Sequence, residues 1–155
     1  MPDRRFVVAG SQYPSDITWP DNVERIEHLP PADHAAFYSR QRYTLNVTRS
    51  SMIAAGWSPS VRLFEAAACG TPIISDRWPG LDSFFPASAI HTAGETDAVV
   101  EILFGESERT RRAMARRARE RVLAFHTGAA RAREFVAALT QPRAAALDFD
   151  IGSAA

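Results

Sequence analysis

The chain has 155 residues, enough for one domain with a real hydrophobic core and too few for a second of equal weight. Its 46% apolar and 23% charged residues are ordinary for a globular protein, and 18 basic residues balance 18 acidic ones, which excludes a net field drawing nucleic acid or an anionic membrane to the whole surface. Every basic residue is Arg, which excludes a Schiff-base or P-loop lysine, and Cys69 is the only cysteine, which excludes an internal disulfide. A lone thiol suits a reducing cytoplasm, no apolar run is long enough to span a bilayer, and the start MPDRRFVVAG has no signal-peptide h-region. A soluble, cytoplasmic protein is the expectation.

Arg5 to Ala9 is a β-branched and aromatic run closed by Gly10, which predicts a short buried strand followed by the turn-rich segment SQYPSDITWPDN. Val23 to His28 predicts a second strand. Pro30 and Pro31 stop it, and Asp33 can cap a helix through about Arg40 that buries Ala36 and Phe37. Tyr43 to Val47 predicts a third strand, and Thr48 to Trp57 contains a short helix ended by Gly56. Ser58 is a good N-cap and Pro59 suits the first helical position, so Val61, Leu63, Phe64, Ala67 and Ala68 predict an apolar helix that Gly70 terminates. Thr71 to Ser75 follows as a strand.

The pattern then predicts a helical turn over Leu81 to Phe85, a strand over Ala89 to Thr92 and a helix over Asp97 to Phe104. Ser107 opens a longer helix to about Phe125 with Met114, Ala118, Val122 and Phe125 inward, and Ala129 to Leu139 forms the last one. Residues 1–140 are expected to be one domain and 141–155, lacking any sustained period, a flexible tail. Short strands alternating with helices predict the α/β class: a Rossmann-like parallel sheet flanked by helices, with ligands beyond the carboxyl ends of the strands.

A helix opening at Ser58 offers unpaired backbone N–H groups and the positive end of its dipole, which suits a diphosphate at Ser58, Pro59, Ser60 and Val61. Glu65 is a lone carboxylate in that apolar helix. It can accept two hydrogen bonds from a ribose diol, and an ion pair with Arg62 three residues earlier is an equal alternative. Arg62 itself is a better partner for Glu65 or Asp76 than for a phosphate. Cys69, Gly70 and Pro72 read as a helix stop and strand start, with Thr71 a candidate nucleotide contact; Tyr13 and Trp19 can stack on a base or pack over the sheet edge.

The run Gly56 to Asp76, GWSPSVRLFEAAACGTPIISD, resembles the donor-binding signature of GT-B glycosyltransferases of the group 1 type. It is most similar to the CgeB-like branch, named for spore maturation proteins, where an SPS-x-R-x-FE pattern followed by small residues and Gly stands in this place. The likeness extends from about Phe6 to Leu139 and includes His126, Thr127 and Arg131. It implies one half of a GT-B fold that binds a nucleoside diphosphate sugar with no further cofactor, Glu65 on the ribose, and the base against backbone at Glu27 to Leu29, which brings in His28 and Leu29. Retaining relatives often carry a second Glu eight positions before the ribose Glu. Trp57 stands there, so no catalytic residue is assigned.

The resemblance further implies a strand and helix ahead of Arg5 and an N-terminal acceptor-binding domain, all of which this chain is expected to lack. The functional expectation is therefore a hexosyltransferase-type enzyme in full-length context, inactive as the isolated chain. The alternative is a non-catalytic nucleotide-binding or regulatory module derived from the fold.

Other motifs fail. GWSPS has Ser60 where a nucleophile elbow needs Gly, and neither GxGxxG nor a P-loop pattern occurs. His28, His34, His91 and His126 lack i, i+4 partners and metal-site carboxylate spacing, so no bound metal is expected. The arginines at 109, 111, 112, 116, 117, 119 and 121 interleave with Glu106, Glu108 and Glu120, which favours a solvated helix face; membrane-surface contact is the runner-up, and nucleic acid is not expected as a partner.

Overall fold

The computed structural model describes residues 1–11, 13–57 and 59–140; the predicted tail lies outside them. After the first two strands, strands and helices alternate as the pattern requires, but the strands form two parallel sheets rather than one. In the first, β1 (Phe6–Ala9) pairs with β2 (Val23–Ile26) in the register Phe6 to Val23 through Ala9 to Ile26. Among the described residues their connection is a loop without a helix. Its aromatic residues are tied to β2, because the Arg25 guanidinium lies over the rings of Tyr13 and Trp19 at 4.5 and 4.3 Å and also donates to the Gly10 carbonyl. Tyr13 and Trp19 thus pack around an arginine at the sheet edge.

The second sheet has the order β3 (Thr44–Asn46), β4 (Ile73–Ser75), β5 (His91–Thr92), all parallel. Each crossover carries helix: α2 (Ser50–Ala55) and α3 (Val61–Ala68) lead from β3 to β4, and α4 (Leu81–Phe84) leads on to β5. The core sits under this sheet. Leu63, Ala66 and Ala67 of α3 meet Ala118 and Val122 of α6 (Glu108–Phe125), with Ile73, Trp78, Leu81 and Phe85 filling the space between. Alanines on both helices permit that close approach.

The α1 helix (His34–Ser39) follows a 3-10 turn at Pro31–Asp33, and it buries Tyr38 while Ala36 is exposed. Positions two apart on a helix point to nearly opposite sides, so seating the larger Tyr38 ring turns Ala36 outward. Phe125 is likewise exposed, contrary to its predicted core position. It ends α6, and the place it would fill is taken by the His126 ring, with centroids 5.3 and 5.8 Å from Phe64 and Phe84. Burial and the nearby Arg131 and Arg121 charges hold the His126 pKa below its ordinary value.

Ser107 caps α6 as its sequence indicates, its Oγ accepting from the Thr110 N–H at 3.2 Å. The arginines of this helix bind backbone carbonyls: Arg117 that of Ser88, Arg119 that of Ala68 at the end of α3, and Arg121 those of Phe84 and Ser83. They hold the helix against α3 and α4. The chain completes α5 (Thr96–Gly105) and α7 (Gly128–Thr140), and no described helix is long and apolar enough to cross a membrane. At the amino-terminal edge of the second sheet, Tyr43 donates to Glu106 at 2.6 Å and His91 meets the same carboxylate at 2.9 Å.

Candidate functional site

The α3 helix begins at Val61 with Ser60 as its N-cap, later than the predicted start at Ser58. The preceding backbone explains the delay. Gly56 and Trp57 both have positive φ, 63° and 52°, and the Trp57 N–H is held by the Pro79 carbonyl at 2.8 Å, so this stretch is committed to a turn. Ser58 lies outside the described residues. Pro59 and Ser60 are half-buried beside the helix start, and Val61 is exposed, so it faces out of the core rather than filling it. Ser60 makes no side-chain cap hydrogen bond.

One turn further on, the two charged residues of α3 take different partners. Arg62 reaches Asn46 Oδ1 at 3.4 Å at the carboxyl end of β3. The Glu65 carboxylate instead meets His34 Nδ1 at 3.1 Å and accepts from the Tyr38 hydroxyl at 3.4 Å, both on α1. No Arg62–Glu65 or Arg62–Asp76 ion pair forms among the described residues, which corrects those expectations. The physical reason is reach: β3 and α1 bring tertiary partners to each side chain that the i, i+3 spacing does not encode. Glu65 keeps about a third of its side chain, 35%, open to solvent.

His34 extends the chain of contacts. Its Nε2 lies 3.2 Å from the Leu29 carbonyl, in the segment after β2, while the neighbouring His28 is exposed. The His34 pKa is raised, first by the Glu65 hydrogen bond and further by the Leu29 carbonyl and the Glu65 and Asp33 charges. The Tyr38 hydroxyl is pushed above its ordinary range by burial and by the Glu65 charge.

On the other side of Arg62 the network continues over the ends of β3 and β4. Asn46 Nδ2 donates to Ser75 Oγ at 3.0 Å, and the Asp76 carboxylate accepts from the Thr48 N–H at 3.1 Å and the Thr48 hydroxyl at 2.8 Å. Asn46 and Ser75 are fully buried polar groups that satisfy one another. Sequence reasoning missed His34, Tyr38, Asn46 and Thr48 in this arrangement. Two signals were present: Asn46 and Ser75 are polar residues ending apolar strands, and ligands in parallel sheets gather at those ends.

Thr71 is elsewhere. It is buried before β4, at the opposite end of that strand from Ser75, and its hydroxyl donates to the Tyr38 carbonyl at 2.6 Å, which fixes α1 to the sheet. It borders an open cavity of about 360 Å³ lined by Gly70, Pro72, Arg111, Arg112, Arg116 and Arg119. These arginines are engaged within the protein: Arg111 with Glu108 and the Arg42 carbonyl, Arg112 with Glu108, Arg116 with Glu120, and Arg119 with the Ala68 carbonyl. The strand-end network, rather than this cavity, is the candidate site, because its polar groups converge where a doubly wound sheet places ligands. Cys69 is a free thiol packed against the core.

A family model described as glycosyl transferase-like matches residues 1–137 of the chain. Sucrose-phosphate synthase from Thermosynechococcus elongatus has a similar structure, with a TM-score of 0.60 and 22% identity over 77% of this chain. This chain spans 30% of that protein. No curated protein matches the sequence.

Proposed function

The chain belongs to the glycosyl transferase-like family and has the Rossmann-like α/β fold of a GT-B domain, and on that footing we propose that it binds the nucleoside diphosphate of a donor sugar at the strand-end network. One observation carries the reading: the Leu29 carbonyl and the Glu65 carboxylate, which the family resemblance assigns to base and ribose, are joined through the single imidazole of His34. The Glu65 carboxylate, held by His34 and Tyr38 rather than by Arg62, is partly open and keeps acceptor lone pairs for a ribose diol, while Ser60 and the α3 N-terminus supply donors for phosphate. The SPS-x-R-x-FE pattern from Ser58 to Glu65 supports assignment to the CgeB-like branch. The acceptor, and the domain that would bind it, lie with a partner region of the glycosyltransferase, which works in the cytoplasm on a sugar nucleotide.

Calorimetric titration of the folded chain with nucleoside diphosphates tests this. Binding is expected to be weak in the wild type and weaker by roughly 1.5 to 3 kcal/mol in Glu65→Gln, the range of a hydrogen bond to a charged group. Absence of binding at millimolar concentration would remove the donor-site reading. Trp57, in place of the second carboxylate of retaining relatives, favours a second reading: a nucleotide-binding module without catalysis. Turnover of a sugar nucleotide onto an acceptor, with the partner region supplied, separates the two.

A further inference from the structure

We infer that His34 is a positioning residue of the nucleotide site, held as an imidazolium between the Leu29 carbonyl and the Glu65 carboxylate, so that nucleotide affinity follows its protonation. The inference rests on the donor-site reading above and adds the group that would organise it.

The argument is one of hydrogen-bond inventory. A neutral imidazole has one N–H donor and one bare nitrogen, whereas an imidazolium has two donors. Nδ1 of His34 faces Glu65 Oε1 at 3.1 Å and Nε2 faces the Leu29 carbonyl at 3.2 Å. A backbone carbonyl and an ionised carboxylate only accept. Both contacts can therefore be made together only when both ring nitrogens carry protons; a neutral ring sets one lone pair against an oxygen. Loss of the proton releases either Leu29, and with it the segment proposed to meet the base, or Glu65, the carboxylate proposed to hold the ribose.

The charges around the ring favour the cation. Glu65 faces it from α3, Asp33 precedes it on the 3-10 turn, and the Tyr38 ring meets it edge-on with centroids 6.2 Å apart on its own helix. Arg62, the nearest opposing charge on α3, acts on Tyr38 and is drawn off toward Asn46. The His34 pKa is correspondingly raised. The stabilisation it brings is thus whole below the ordinary histidine value of 6.5 and is lost as pH rises through the higher folded value. Lowering pH through that window locks Leu29 and Glu65 together and adds a positive charge beside an anionic ligand.

The test uses the full chain with uridine, guanosine and adenosine diphosphates as probes, in wild type, His34→Gln and Glu65→Gln. Gln keeps one donating group, its NH₂, and one accepting group, its carbonyl, at every pH, so it imitates the neutral ring in offering a donor on one side only. Wild-type affinity for the tightest probe is expected to fall on the order of tenfold between about pH 6 and about pH 9, and His34→Gln to show the weak affinity throughout. Phosphate titration of the probe is common to both proteins and cancels in the comparison. Nitrogen NMR of the His34 ring gives a ligand-free arm: two protonated nitrogens near neutral pH are expected, with the titration shifted downward in Glu65→Gln. Wild-type binding with equal affinity and equal pH dependence in His34→Gln overturns this inference and leaves the donor site standing. A neutral ring by NMR at about pH 6 also overturns it. No binding of any probe by wild type at either pH overturns the donor site and the nucleotide linkage together.

Discussion

The two parallel sheets are built from similar short apolar runs and reach different states. No residue of β1 or β2 is buried, although the first reads Phe-Val-Val-Ala, while every residue of β4 is buried, including Ser75. The strand sequences do not account for this. β4 has a strand on each side and lies in the unit that packs α3 against α6, whereas among the described residues β1 and β2 pair only with one another. Strand burial is thus set by what covers the sheet, and apolarity is only its precondition. The candidate site crosses this boundary: Leu29 comes from the end of the open ladder, and Arg62, Glu65, Asn46 and Asp76 come from the packed unit.

The largest test of the comparison is core truncation. Phe85 is fully buried in the packed unit, and Phe85→Ala is expected to cost about 3 to 5 kcal/mol. Val8→Ala in the open ladder removes methyl groups that are already half in water, and it is expected to cost no more than about 1 kcal/mol. Urea unfolding of both variants measures the difference. Equal losses would mean that the first ladder is as tightly integrated as the second.

A second test bears on the loop that delivers the start of α3. Gly80 has φ of 97°, and a Cβ there would stand 2.6 Å from the Trp57 ring. Gly80→Ala therefore meets both backbone strain and a rigid aromatic neighbour, and a loss of about 2 kcal/mol is expected, with a change in tryptophan fluorescence as the ring is displaced. If the loop belongs to the packed unit, Val8→Ala leaves that fluorescence unchanged. A fluorescence shift in Val8→Ala would show the two regions to be coupled.

Much of this architecture is legible in the sequence, and the failures have physical causes. Strand and helix order follow from periodicity, and the Ser107 cap is readable because its bond to Thr110 is local. The division into two sheets is not readable, because pairing between strands is non-local and the runs themselves are alike. At the site, Glu65 stands out as a carboxylate in an apolar helix, but its partners do not. His34 and Tyr38 reach it from another helix, and no local spacing encodes that contact. The Arg62–Glu65 pair is the expected local solution, and tertiary partners displace it.

The smallest effects, and the last test, concern the polar contacts of the two regions. In the open ladder Arg5 pairs with Glu24 across the sheet, with side chains 77% and 43% exposed, and such a pair contributes little. Glu24→Gln is expected to cost less than about 0.5 kcal/mol, diminishing further in salt. In the packed unit Tyr43 donates to Glu106, whose side chain is only 8% exposed and which also meets His91. Tyr43→Phe leaves that carboxylate one donor short and is expected to cost about 1.5 kcal/mol. The two also differ in pH dependence. Burial, then the Glu106 hydrogen bond and charge, raise the Tyr43 pKa above its ordinary value of 10.0, so the folded protein holds this proton more tightly than the unfolded chain. The stabilisation is whole below about pH 10 and is lost as pH rises through the folded value, because the unfolded chain gives up its proton first. Thermal melts from neutral to alkaline pH should therefore show a steeper decline in wild type than in Tyr43→Phe, and the same decline in wild type and Glu24→Gln. A Tyr43→Phe variant that parallels wild type at alkaline pH would place the Tyr43 hydroxyl in water, and the packed unit would lose its advantage in polar contacts.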